Sequence, residues 1–167
     1  MRYTRTIILI LVAIMLLGST MAIADSFATN VSEATKPALA ASIVAAYFAT
    51  KDHGTSNAAR VTDSILLSYG LAESLKPNLK WNRDSDRRSF PSGHTATAFA
   101  AASSLGEINP KQKWMYYAGA ALVGWSRVET GAHTWRDVLG GAAVGITIGK
   151  WSVSSGSGLM VGRAFKF

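Results

Sequence analysis

Three uncharged segments rich in alanine and glycine most constrain how this chain can fold. Residues 37–50, 114–126 and 138–149 form runs of 14, 13 and 12 residues without a charge. None alternates apolar and polar residues as a half-buried strand does, and each is shorter than the roughly 18 residues that cross a membrane as a helix. They therefore predict an all-α fold, a compact helical bundle of about five to six helices. Small residues also suit helix packing inside membranes, so peripheral membrane contact stays open.

The remaining apolar periodicity and the turn residues divide the chain further. The polar residues 25–35 and the charged residues 76–90 predict loops, and Asn109-Pro110 predicts a turn. Gly140, Gly141 and Gly145 predict close helix contacts. The predicted helices are residues 37–50, 58–75, 95–105, 114–128 and 134–151.

The N-terminus is typical of a secretory signal. Residues 1–5 are basic, residues 6–18 are apolar, and Ala22-Ile23-Ala24 is a small-x-small cleavage site. The alternative is an uncleaved anchor, because residues 6–24 carry no charge over nearly a membrane-spanning length. We predict a signal peptide at residues 1–24, a helical domain at 25–151 and a C-terminal tail at 152–167.

Charge and cysteine content limit the function of the exported part. The chain carries a net charge of +7, and loss of Arg2 and Arg5 with the signal leaves +5. This balance suits anionic substrates, anionic lipid surfaces or nucleic acid, and by itself does not choose among them. The chain has no cysteine, so packing alone must hold the fold, although exported chains often use disulfides.

One stretch places two ionisable side chains four residues apart. His133 and Asp137 would share a face if they lay on one helix. A carboxylate there can accept a hydrogen bond from one imidazole nitrogen, which leaves the other nitrogen free as a nucleophile or base. Arg127, six residues before the histidine, offers a planar fork that suits phosphate-like oxyanions.

A second stretch, Pro91-Ser92-Gly93-His94, reads as a turn that leads into a helix. The start of a helix presents unpaired N–H groups and a positive dipole end, which attract an oxyanion. Gly93 would let a bound group approach the backbone, and the Ser92 hydroxyl can donate a hydrogen bond. His94 is placed to give a proton to a leaving oxygen. Together the two stretches indicate a phosphoryl-transfer centre that needs no metal.

These two stretches resemble signatures of a known family. Pro91-Ser92-Gly93-His94 and Ser126-Arg127-x5-His133-x3-Asp137 are similar to the second and third signatures of the type-2 phosphatidic acid phosphatase and vanadium-dependent haloperoxidase superfamily. The first signature, Lys-x6-Arg-Pro, fits two registers here, Lys76/Arg83 and Lys80/Arg87, and neither has the proline. We favour Lys76/Arg83 for its spacing from the second signature.

The resemblance implies a role for each matching residue around a central phosphate pocket. Lys76, Arg83 and Arg127 would hold the phosphate oxygens with Ser92 and Gly93. His133 would attack phosphorus, Asp137 would orient it, and His94 would protonate the leaving group. The residues that this resemblance assigns are Lys76, Arg83, Ser92, Gly93, His94, Arg127, His133 and Asp137.

We therefore expect an exported, metal-independent phosphatase, periplasmic or membrane-associated and facing the periplasm. Its substrate would be a phosphomonoester or a lipid phosphate or diphosphate, such as phosphatidic acid or undecaprenyl diphosphate. No cofactor and no nucleic-acid partner are expected, and vanadate would act as a phosphate mimic that inhibits. One alternative is a vanadate-dependent haloperoxidase with His133 as the vanadate ligand. The other is a non-catalytic protein that binds anionic lipids.

Overall fold

Most of the described residues lie in helices. The computed structural model describes residues 23–36, 38–43, 54–78 and 90–155, and these residues contain no strand. The predicted all-α fold is confirmed. We call the helical residues 23–36 and 38–43 α1. The other helices are α2 (Gly54–Asn78), α3 (Gly93–Ile108), α4 (Lys113–Glu129) and α5 (Trp135–Ser154), with a 3-10 turn at Pro110–Gln112.

Helix α3 lies at the centre, against α2, α4 and α5. Almost all of its side chains are small and buried, which lets neighbouring helices come close. Its buried hydroxyls are hydrogen-bonded, as buried polar groups must be to avoid a desolvation cost. The Ser103 hydroxyl pairs with the Tyr117 hydroxyl on α4 at 2.7 Å, and Ser104 donates to the Gly149 carbonyl on α5 at 3.2 Å.

A stripe of glycines on α5 brings this helix against the backbone of α3. A Cβ atom at Gly141 would meet the backbone at Ser92 and Ala96, and one at Gly149 would meet Ala100. Gly145 makes the same kind of approach between them. The prediction of close contacts at Gly141 and Gly145 is confirmed, whereas Gly140 faces the Phe90 ring. Because contacts advance in the same direction on both helices, α3 and α5 run parallel and begin at the same end of the bundle.

Helices α2 and α4 run the opposite way, so their C-terminal ends lie beside the starts of α3 and α5. At the far end of the bundle, Ser152 near the end of α5 donates to the Arg60 carbonyl near the start of α2 at 2.7 Å. At the near end, Gly93 faces Glu73 near the end of α2. Four helix ends therefore meet where the candidate residues lie.

Two sequence predictions about local structure are wrong. Residues 25–35 are helical rather than a loop, because Ala28, Val31 and Thr35 form an inward stripe at helical spacing. Thr29, Asn30 and Glu33 between them are exposed. Lys76 and Pro77 belong to the last turn of α2 rather than to a loop. The other helices agree with prediction to within a few residues, apart from α2, which starts four residues earlier.

Some predictions fall outside the described residues. They concern the signal segment before residue 23, the helix end at 44–50, the loop residues 79–89 and the tail beyond residue 155. Among the described helices, none combines the length and the apolar character needed to cross a membrane.

Candidate active site

The first part of the site is the start of α3. Ser92 is the N-cap of the helix and is fully buried. Its hydroxyl oxygen accepts hydrogen bonds from the backbone N–H of Thr95 at 3.4 Å and from the Thr95 hydroxyl at 3.0 Å. The first N–H groups of a helix, here those of Gly93 and His94, have no partner within the helix. An oxyanion bound at this end of the helix can accept hydrogen bonds from these two N–H groups.

Gly93 serves helix packing as well as the site. A Cβ atom there would lie 3.0 Å from the Glu73 carboxylate and 3.5 Å from the Tyr69 ring. A side chain at Gly93 would therefore run into α2, and contact between the Gly93 backbone and a bound group stays a prediction. This α2 contact could not be read from a local motif, because it joins residues about twenty positions apart.

The second part is the start of α5, which is closed by a capping box. Thr134 is the N-cap, and its hydroxyl accepts from the Asp137 N–H at 3.3 Å. In return, the Asp137 carboxylate accepts from the Thr134 N–H at 2.8 Å. His133 therefore lies just before the helix rather than on it, which corrects the expected shared helix face. The capping box, and not helical periodicity, brings Asp137 towards the imidazole.

The same Asp137 oxygen faces the His133 ring. His133 Nδ1 lies 3.6 Å from Asp137 Oδ2, and both side chains are largely buried. The His133 N–H donates to the Arg127 carbonyl at 2.9 Å, which fixes the backbone before the ring. Burial, followed by the positive charge of Arg127, lowers the pKa of His133 to about 4, against the opposing effect of Asp137. The ring is therefore neutral at neutral pH, as a nucleophile must be.

The two helix starts are joined directly. The backbone N–H of Ser92 donates to the Asp137 carbonyl at 2.9 Å. This hydrogen bond links the turn before α3 to the first turn of α5, and the glycine stripe described above makes the short distance possible. The Pro-Ser-Gly turn and the His133–Asp137 pair thus lie side by side.

Arg127 near the end of α4 supplies one cation of the site. One of its terminal nitrogens donates to the Ser32 hydroxyl on α1. Its Nε is buried and has no hydrogen-bond partner within the described part of the chain. Burial lowers the pKa of Arg127, yet a guanidinium stays charged at working pH. The side chain is thus held at one end and retains donors for an anion.

Lys76 near the end of α2 supplies a second cation. Its ammonium forms an ion pair with Glu73, one turn earlier. A carboxylate at this position was not among the sequence predictions, and it competes with any bound anion for Lys76. The only signal for it was its i, i+3 spacing from the lysine, which is common on solvated helices.

The pKa of His94 connects these parts. Burial lowers it most, followed by the charges of Arg127, Lys36 and Lys76, and Glu73 opposes them. Arg127 and Lys76 also lower the pKa of His133. Both imidazoles therefore lie in the field of the same two cations, as expected of one pocket that holds an anion between two histidines.

Comparison with known proteins agrees with this geometry. The family model described as the PAP2 superfamily matches residues 5–159. The chain belongs to the PAP2 superfamily. The match begins inside the predicted signal segment, so that segment is shared with the family model. The crystal structure of Aquifex aeolicus LpxE is similar to this chain with a TM-score of 0.64 and 26% identity, and the match covers 79% of this chain and 86% of that one.

Two relatives match part of the chain. Lipid A 1-phosphatase of Porphyromonas gingivalis is 47% identical over 66 residues, which cover 37% of this chain and 15% of that protein. Lipid phosphate phosphatase 2 of Arabidopsis thaliana is 40% identical over 76 residues, which cover 36% of this chain and 26% of that protein. The matched segments thus span about a quarter or less of these relatives' lengths.

Most of the PAP2 residues predicted from sequence gather at one end of the bundle. His94, His133, Asp137 and Arg127 do so, together with Lys76. Ser92 and Gly93 lie in the same place. There the Ser92 hydroxyl caps α3, and Gly93 packs against α2. Arg83 and the alternative register Lys80/Arg87 lie outside the described residues, so the choice of register stays a prediction.

Three residues at this end were missed by the sequence analysis. Ser32 and Lys36 fall in or beside the segment predicted as a loop, and Glu73 lies outside the motifs. The inward stripe Ala28, Val31 and Thr35 would have predicted a helix there. It would not have shown where that helix docks. The described residues contain no group of three or more histidine, cysteine or acidic side chains that could hold a metal ion.

Proposed function

We propose that this PAP2 chain is a phosphatase that works through a phosphohistidine on His133. The observation that carries the proposal is the position of two imidazoles, His94 and His133, in the field of the same cations, Arg127 and Lys76. Two helix starts at the same end add backbone donors for the phosphate oxygens. Phosphoryl transfer needs this combination of positioning and charge stabilisation.

The first half-reaction makes a nitrogen–phosphorus bond. With Nδ1–H of His133 directed at Asp137, Nε2 keeps its lone pair and attacks phosphorus. The phosphorus–oxygen bond to the leaving group breaks, and its electron pair goes to the leaving oxygen. His94 gives its proton to that oxygen. Arg127, Lys76 and the amides of the α3 start stabilise the equatorial oxygens throughout.

The second half-reaction regenerates the enzyme. Neutral His94 takes a proton from a water molecule, and the resulting hydroxide attacks phosphorus. The nitrogen–phosphorus bond breaks, and its electron pair returns to Nε2 of His133. Phosphate leaves, and the protonated His94 is ready for the next substrate. Water is the second substrate, no oxidant is needed, and no cofactor takes part in this proposal.

An apolar cleft beside the pocket supports a lipid phosphate as the substrate class. A cleft of about 270 Å3 runs between α1, α3 and α4. It begins at Thr35, Ala98 and Val123, which lie within about one turn of Ser32, His94 and Arg127. It ends near Leu105 and Met115. We propose that it holds the apolar chain of a lipid whose phosphate occupies the pocket.

Large apolar side chains at the surface support association with a membrane. Trp114, Trp135 and Trp151 are each at least half exposed, as is Leu139. Tryptophan is favoured where an apolar phase meets water. We propose that the protein is exported and works at the periplasmic face of a membrane, where a lipid phosphate is available.

The test is a phosphate-release panel with purified full chain. The substrates are a diacylglycerol phosphate, an undecaprenyl diphosphate and a chromogenic monoester, each with and without orthovanadate. We expect release from the lipids, competitive inhibition by vanadate, and acid-labile labelling of the protein by a radioactive phosphate donor. His133→Ala should abolish turnover and labelling while substrate still binds.

Two results would point to the alternatives. Oxidation of bromide with peroxide and vanadate, without phosphate release from any ester, would indicate a haloperoxidase. Lipid binding without phosphate release, unchanged in His133→Ala, would indicate a non-catalytic binder. His94→Asn serves as a matched variant. It should slow turnover yet leave the phosphohistidine detectable with an activated aryl phosphate, whose leaving group needs no proton.

A further inference from the structure

Helix α1 forms a wall of the pocket that no sequence motif of the site includes. Three contacts seat it there. The Phe27 ring packs against Trp125 of α4 with centroids 6.0 Å apart, and Val31 packs against the core between α3 and α4. Ser32 accepts a hydrogen bond from Arg127 itself. The register of α1 against the site is therefore set by apolar packing and by one polar contact to a phosphate-binding residue.

This seating decides where Lys36 lies. Residues four apart on a helix share a face, so Lys36 follows Ser32 on the side that meets Arg127, about 6 Å further along the axis. Thr35 beside it is buried, which fixes the rotation of this turn. Within the described part of the chain Lys36 forms no ion pair. Lys36 is exposed, so its ammonium is accessible to an anion beside the pocket.

The contacts of α1 place Lys36 on one side of the pocket, and the pKa values of the two histidines agree with that position. Lys36 lowers the pKa of His94, whereas it is not among the charges that shift the pKa of His133. Asp137 acts on His133 only. Thr35, the neighbour of Lys36, lines the apolar cleft together with Ala98, which lies one turn after His94, so this turn of α1 lies beside the start of α3 on the side of His94. In the proposed reaction, the side of His94 is the side of the leaving group.

We propose that Lys36 binds the leaving phosphate of a diphosphate substrate, and so favours diphosphates over monophosphates. This rests on the proposed function, because it takes His94 as the acid. In a diphosphate the group that leaves carries its own negative charges, which an ammonium at this position stabilises. In a monophosphate ester the leaving oxygen belongs to an alcohol, and Lys36 finds no second phosphate. The site of attack and the bonds that change are the same for both substrates.

The experiment compares two substrates with the same apolar chain, farnesyl phosphate and farnesyl diphosphate, by initial rates with the full chain. We expect Lys36→Gln to lower kcat/KM for the diphosphate about ten-fold more than for the monophosphate, the effect of losing one charge-assisted hydrogen bond. Lys36→Arg should retain most of the preference. Lys150→Gln, an exposed lysine on the distant part of α5, should leave both rates unchanged.

A second measurement reports the position of Lys36 without turnover. His94 is faced by Arg127 from α4, by Lys76 and Glu73 from α2, and by Lys36 from α1. Removing one positive charge favours the imidazolium, so Lys36→Gln should raise the pKa of His94 in an NMR titration of the ring protons. Lys150→Gln should leave that titration where it is.

The outcomes separate the two proposals. If the unaltered chain releases phosphate from neither substrate, the proposed function is wrong and this assignment goes with it. If it hydrolyses both, but Lys36→Gln lowers both rates equally or leaves the His94 titration unmoved, only the assignment of Lys36 is overturned. A ten-fold change in the ratio, together with a raised pKa of His94, supports it.

Discussion

The buried position of His133 makes a sharp prediction about acid tolerance. A phosphohistidine enzyme needs this ring neutral, so on the acid side activity should fall only when pH drops through the pKa of His133. That pKa is lowered from 6.5 to about 4, first by burial and then by Arg127. His94 must be protonated, and its pKa is also lowered. We expect kcat/KM to be greatest at acid pH, between about 4 and a value below 6.5.

The size of the effect follows from the two values for His133. At pH 5 a ring with a pKa of about 4 is about 90% neutral, whereas an imidazole with the ordinary value of 6.5 is about 3% neutral. The difference in the reactive fraction is roughly thirty-fold. The same shift affects stability, because the unfolded chain binds this proton at a higher pH than the folded chain. As pH falls from 6.5 to 4.5, the free energy of unfolding should drop by roughly 2–3 kcal/mol from this residue.

The assay is a profile of kcat/KM for a chromogenic monoester from pH 3 to pH 8 at constant ionic strength. The substrate phosphate itself ionises near pH 6, so a limb with its midpoint near 4, well below that value, is the one that reports His133. Urea unfolding at pH 7 and at pH 4.5 gives an independent readout. His133→Asn should remove most of the loss of stability at pH 4.5, whatever its activity.

One result would refute the reasoning. If the acid limb has its midpoint near 6.5, so that kcat/KM at pH 5 is already about thirty-fold below its plateau, His133 is not held neutral by burial. An unfolding free energy that depends on pH equally in the unaltered chain and in His133→Asn would lead to the same conclusion.

Three further predictions test the structure around the pocket. Glu73→Gln should lower KM for phosphate esters by up to about five-fold, because it frees Lys76 from a partly exposed ion pair; a raised KM would contradict this. Gly145→Ala should lower the free energy of unfolding by about 1–3 kcal/mol in urea, because the added Cβ would meet the backbone of α3. Gly70→Ala is the control. It has open space around it and should raise the free energy of unfolding by up to about 1 kcal/mol. Gly119→Leu should fill the apolar cleft without a backbone clash. It should raise KM for long-chain lipid phosphates but not for a chromogenic monoester, and Gly70→Leu is the control. Equal effects on both substrates would show that the cleft holds no lipid chain.

The motif residues show how far local sequence can go. Pro-Ser-Gly-His and the Arg127–His133–Asp137 spacing predicted an oxyanion site with two imidazoles, and the structure brings these residues together. Their chemistry is carried by residue type and by short spacing, both of which are visible in the chain. The same motif could not show that Ser92 is an N-cap, or that Gly93 faces Glu73 on α2, because those contacts depend on neighbours elsewhere in the chain.

Residues 25–35 show the opposite case. Their polar composition predicted a loop, yet they form part of α1, because a few inward residues are enough to bury one face of a helix once a partner surface exists. Ser32 and Lys36 reach the pocket only through that packing.

The sequence by itself determined the helical class, the identities of the reactive side chains and their local order, since these follow from periodicity and from short-range spacing. Tertiary structure alone decided that α3 and α5 run parallel with their first turns side by side, and that α1 closes the pocket. The physical reason is that glycine–backbone contacts and buried side chains join residues that are far apart in the chain. A local pattern of residues does not show which distant segments come into contact.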